Sequence, residues 1–214
     1  MGATSDTEIC NIALTRIGHG LISALTENTT AAQVCNLHYA RTRDAMLRAH
    51  PWNFAIRRAT LAQSSTTPNH EFTYYHVLPV DCLKVIRTNW EADGSVGTAI
   101  YGFPGQMGYA TQVAPYRIEN VSGVGKCLAC NEDTVKIEYI AQITDVAQFD
   151  DLFVDCFAQR LAAEICMRLT DNQSATKTMW EIATAKLAEA RSADAQEGTP
   201  REVVDLSGWI SARA

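Results

Sequence analysis

The residues best suited to chemistry are Cys127-Leu128-Ala129-Cys130, five histidines and a short run of aspartates. A zinc ribbon needs two Cys-x-x-Cys pairs, or one pair with histidines downstream. Here no second pair exists and no histidine follows the first. A thioredoxin-type pair opens a helix, whose N-terminus lowers the thiol pKa. This one follows Gly123 and Gly125 and precedes a strand pattern, so it is expected in a hairpin strand without metal or redox work. His19, His38, His50, His70 and His76 form neither His-Glu-x-x-His nor His-x-His. His38 is expected to pack near an apolar helix stripe, and His19 to cap a helix between two glycines. There is no Gly-x-Ser-x-Gly elbow, Walker loop or Gly-x-Gly-x-x-Gly. Asp151 and Asp155 share a helix face at i, i+4, without an apolar pocket to raise either pKa for glycoside hydrolysis. Asp150 and Asp151 suit the positive end of a helix instead. No catalytic, cofactor-binding or metal residue is therefore assigned.

The elements that carry these residues fall into two kinds. Ser5-Asp6-Thr7-Glu8 has capping-box form, and Ile9, Ile12, Ala13, Arg16 and Ile17 follow at helical spacing until Gly18-His19-Gly20. Thr29 or Thr30 caps a second helix to about His50, ended by Pro51. Its expected buried side is Val34, Cys35, Leu37, His38, Ala45, Met46 and Leu47, with Arg41, Arg43, Asp44 and Arg48 towards solvent. Trp52 and Phe54 are large apolar anchors. From Ile56 to Tyr139 the period changes to two, predicting strands at Ile56–Ala62, Phe72–Val77, Cys82–Asn89, Ala99–Tyr101, Tyr116–Val121, Cys127–Ala129 and Thr134–Ile140. Helical spacing returns over Asp150–Leu169, with Leu152, Phe153, Cys156, Phe157, Leu161, Ile165 and Leu169 in one broad stripe. A fourth helix is predicted from a Ser174 cap to about Ser192, with Met179, Ile182, Ala183, Leu187 and Ala190 inward. The expected fold is α+β: an antiparallel bundle of about four helices (1–55 and 141–192), an inserted antiparallel β region (56–140) and an extended C-terminal arm (193–214).

The chain of 214 residues is 47% hydrophobic, enough to build a core without disulfides or metal. A net charge of −6 disfavours gripping nucleic acid through its phosphates. The charge is unevenly spread: residues 1–60 carry six Lys/Arg against four Asp/Glu, residues 141–214 seven against twelve. Seven scattered cysteines fit a reducing, cytosolic setting. Met1–Glu8 lacks a basic start and apolar run, so no secretory leader is expected, nor is a membrane span.

Two surfaces remain as interface candidates. Arg41, Arg43, Arg48, Arg57 and Arg58 form a modest basic cluster; it either meets an acidic partner surface or is simply solvated. Alternation at Ile56–Ala59 suggests that one of Arg57 and Arg58 packs partly inward. The arm ends in Val203, Val204, Leu206, Trp209 and Ile210, more apolar surface than a solvated tail has reason to carry. It is expected to dock, on its own chain or on a neighbour.

One succession of segments is more specific than any of its parts. Asn11-Ile12-Ala13-Leu14-Thr15-Arg16-Ile17-Gly18 precedes Leu21-Ile22-Ser23-Ala24-Leu25. His50-Pro51-Trp52-Asn53-Phe54-Ala55 then leads into Arg58-Ala59-Thr60-Leu61-Ala62. Leu78-Pro79-Val80-Asp81-Cys82-Leu83, Tyr139-Ile140, Asp145 and Arg160-Leu161-Ala162-Ala163-Glu164 complete the order. This resembles the tail tubular protein A family, the head-to-tail adaptor (gatekeeper-ring) proteins of tailed bacteriophages, over about residues 5–192. The resemblance implies a structural, non-enzymatic subunit of the virion, made in the host bacterial cytoplasm. It would form a homo-oligomeric ring of about twelve copies at the head-tail junction, between a portal protein and a tail tube or nozzle protein. Double-stranded DNA would pass through the channel without sequence-specific binding. The alternative is a cell-wall (peptidoglycan) hydrolase acting during infection, which requires two carboxylates about 5–10 Å apart in one cleft.

Overall fold

A computed structural model describes residues 5–88 and 115–197. The class is α+β, with four α-helices and antiparallel sheets. The predicted strand Ala99–Tyr101 and the apolar residues Val203, Val204, Leu206, Trp209 and Ile210 lie outside the described residues. The chain divides into two compact units. One comprises residues up to Arg57 with 81–84 and 139–197; the other comprises 58–80 and 85–138, within what is described.

In the first unit, helix ends are set by local chemistry. The Ser5 hydroxyl accepts from the Glu8 amide at 3.2 Å, opening α1 (Asp6–Arg16). Gly18 at φ +72° closes it, letting the His19 amide reach back to the Leu14 carbonyl at 2.9 Å. Thr29 caps α2 (Thr30–Ala49) through the Ala32 amide. Asp150 caps α3 (Asp151–Thr170) through the Leu152 amide. The next helix, α4 (Gln173–Gln196), is capped by Asn172, not Ser174. It also runs past Ser192, so the first residues assigned to the arm are helical.

Helix α3 packs against α1, α2 and α4 and is buried around most of its circumference. Phe153 lies with its ring centroid 5.0 Å from Trp52, Phe54 and Phe149, and Phe157 meets Tyr39 at 5.1 Å. These rings meet edge-on or tilted, the arrangement the ring quadrupole favours. Several predicted faces are corrected. Leu37 is 65% exposed, Ala45 is exposed, and Leu152 and Ile182 face outward. Tyr39, Thr42 and Arg43 take the buried side of α2. Apolar type does not fix the face; the rotation that buries Cys35, Tyr39 and Met46 turns Leu37 and Ala45 away.

Residues 56–62 do not form one strand. β1 (Ile56–Thr60) and β2 (Ala62–Gln63) belong to different sheets, and the Leu61 amide between them donates to the Val135 carbonyl at 2.8 Å. The remaining strands are β3 (Tyr74–Val77), β4 (Cys82–Thr88), β5 (Arg117–Val121), β6 (Gly125–Cys130) and β7 (Lys136–Ala141). A three-stranded sheet has the order β1-β7-β4, and a four-stranded one β2-β3-β6-β5. In the latter, Tyr75 pairs with Ala129 and Ile118 with Leu128, all antiparallel. The β5–β6 turn uses Gly123 at φ +78° and Gly125 at φ +102°, values that favour glycine.

Candidate interaction surface

The five arginines take different roles. Arg43 is 8% exposed and bonds Asp44 at 2.9 Å, which corrects its expected place on the solvent face. Its aliphatic stem adds to the packed side of α2 while the head finds a carboxylate at the edge. Arg48 donates to the Leu83 carbonyl. Arg57 ties down its own turn, donating to the Phe54 carbonyl at 2.9 Å and to Gln148 at 3.1 Å. Both Arg57 and Arg58 are exposed, so neither packs inward. Arg58 approaches the Glu138 carboxylate at 3.6 Å, and Arg87 donates to the same carboxylate at 2.8 Å. Glu138 sits in the central strand of β1-β7-β4, so an arginine from each neighbouring strand reaches it. A buried carboxylate between two guanidiniums has hydrogen-bond partners in place of water, and its role is structural.

Arg41 is the exception. It is exposed, and no hydrogen-bond or ion-pair partner for it exists among the described residues. It lines an open groove of about 570 Å³ between α2, α3 and α4. Leu37, Ala45, Met46 and Ala49 give the α2 wall, and Leu187 the α4 wall. Arg160 of α3 also borders it, but this guanidinium is committed: it bonds Glu164 at 3.0 Å and lies 4.1 Å over the Trp180 ring. The groove thus combines these apolar side chains with His38, Thr42 and the Arg160–Glu164 pair, and Arg41 is its one cation without a partner among the described residues. Leu37, Arg41, Ala45 and Ala49 recur every fourth residue and are all exposed, a single stripe of α2. That spacing was visible in the sequence, but Leu37 and Ala45 were assigned to the core because they are apolar.

The groups that suggested catalysis are occupied otherwise. Asp155 accepts from Lys186 of α4 and from Arg16 of α1, whose second nitrogen also meets the Asp155 carbonyl at 2.8 Å. Burial raises its pKa, but the Lys186 hydrogen bond and the Arg16 charge outweigh this, and the carboxyl ends below its usual range. A glycosidase acid needs the opposite displacement. Cys127 and Cys130 lie three residues apart in β6, so they point to opposite faces of the sheet. Both are buried, and burial raises both thiols. His76, fully buried, uses Nε2 on the Glu132 carbonyl at 2.9 Å. Among the described residues, no helix is long and apolar enough to cross a membrane. Comparison with protein-family models and with curated proteins finds no match to this chain.

Proposed function

We propose that the chain is a structural head-to-tail adaptor subunit. Its four helices would form an antiparallel bundle with an extended C-terminal arm, assembled as a homo-oligomeric ring between portal and tail tube or nozzle. The observation that carries this reading is the open α2 groove, where an exposed leucine and an uncommitted arginine lie side by side on one helical stripe. Exposed apolar surface gains by leaving water, and the cation beside it favours a partner that brings a carboxylate. The ordered resemblance to the tail tubular protein A family supplies the identity of the assembly, and the charge contrast between the two ends of the chain suits a contact of unlike patches, as a closed ring requires. In this role the protein provides contact surface around a DNA channel and transforms no substrate.

Negative-stain imaging of the full chain, alone and mixed with a portal ring, tests the proposal. Additional density on the portal, with the rotational symmetry of a ring, supports it. A portal that remains bare, or release of soluble fragments from peptidoglycan by the purified chain, overturns it.

A further inference from the structure

Resting on that reading, we propose that the α2 groove receives the C-terminal segment Glu202–Ile210 of a second copy of the chain. The groove offers Leu37, Ala45, Met46 and Leu187 for apolar contact, and Arg41 as a cation with no partner among the described residues. The segment reads Glu202-Val203-Val204-Asp205-Leu206-Ser207-Gly208-Trp209-Ile210, interleaving two carboxylates with five apolar side chains and no cation. Val203, Leu206 and Ile210 fall at i, i+3, i+7, the anchor spacing by which an amphipathic segment fills a groove. An acidic residue between such anchors is what Arg41 can pair with as the apolar residues exclude water.

The linker sets where the neighbour must sit. The last turn of α4 is fastened by Asp194, which bonds the His50 ring at 3.0 Å and the Asn53 amide at 3.0 Å. Beyond it, residues 198–201 can span roughly 14 Å before the docked segment begins, so the receiving groove must lie close to this helix end on the neighbouring copy. Each copy would then give a segment to one neighbour and a groove to the other, a head-to-tail relation that propagates around a ring.

The test uses a fluorescent peptide of residues 198–214 titrated into the full-length protein at concentrations too low for self-association. Wild-type chain and Asp205→Lys chain should bind the peptide equally, since both keep the groove. Arg41→Glu should weaken binding at least roughly tenfold, and a peptide carrying Asp205→Lys should recover affinity for that variant. Arg41 is exposed, so the variant should retain its circular dichroism spectrum; Leu37→Glu provides a second, independent lesion. Absence of saturable binding, or equal binding by Arg41→Glu, overturns the proposal. Binding only by the Asp205→Lys chain shows that each segment fills its own groove, and overturns it too. If rings form on the portal while the peptide fails to bind, this inference falls and the adaptor reading stands.

Discussion

Trp52 donates its indole N–H to the Met46 carbonyl at 3.0 Å. Pro51 has just ended α2, so this bond folds the chain back over the helix end and gives a carbonyl of the last turn a side-chain donor. The ring is fully buried and packs on Phe153. Trp52→Ala should cost about 3–5 kcal/mol by cavity formation. Trp52→Phe keeps much of the volume but removes the indole's hydrogen bond, at about 1 kcal/mol. Urea unfolding followed by circular dichroism measures both; a Trp52→Phe variant as stable as wild type would contradict the hydrogen-bond assignment.

Asp155 joins α1 and α4 to α3 through Arg16 and Lys186. Because its folded pKa is depressed, its stabilisation is present above the unfolded carboxylate pKa and lost as pH falls through the folded one. The side chain is 41% exposed, so solvent screening limits the effect. Asp155→Asn should destabilise by roughly 1 kcal/mol at pH 7. The gap to wild type should shrink as the medium is acidified below the ordinary carboxylate range. A gap that is constant between neutral and acid pH would refute the charge pairing.

Glu138 and its two arginines differ in burial, and their variants should differ accordingly. Glu138 is 3% exposed, whereas the Arg58 side chain is 65% exposed. Glu138→Ala takes a buried carboxylate away from two guanidiniums, the closer of them only 27% exposed, and should cost more, about 1–3 kcal/mol. Arg58→Ala should cost under about 1 kcal/mol. Thermal unfolding of the two variants decides the ranking.

All seven cysteines are free and buried. Burial, the largest effect, pushes the Cys156 thiol up to about 12, with the Asp155 charge adding to it. Native protein should therefore react negligibly with Ellman's reagent at pH 8, and unfolded protein should yield seven thiols. Prompt release of two equivalents by the native fold would imply a reactive Cys127–Cys130 pair and contradict the opposed-face geometry.

The parts of the fold legible in sequence were those fixed by local chemistry. Ser5 caps where the pattern places it, Thr29 is one of the two threonines the pattern offers, Asp150 stands at the expected helix start, and Gly18 and Pro51 stop their helices, because each acts on backbone groups within one turn. The faces of the helices were less legible. Leu37 and Arg43 exchanged expected positions because helix rotation is chosen by partners distant in sequence. The division of residues 56–62 between two sheets was likewise hidden, since alternation reads the same whichever neighbour a strand pairs with. The groove combines both problems: its stripe is regular, but its residues resemble a core until the neighbouring helices are in place.

Only Asp171 and Asn172 separate α3 from α4, whereas Arg16 and Asp155 meet across 139 positions of chain. The α3–α4 pair can therefore zip together with little loop-closure entropy, while α1 and α2 must wait for a partner encoded far downstream. On the ribosome the early helices emerge with their oily sides bare until α3 leaves the exit tunnel, and that interval is when nascent chains are most prone to stick to one another.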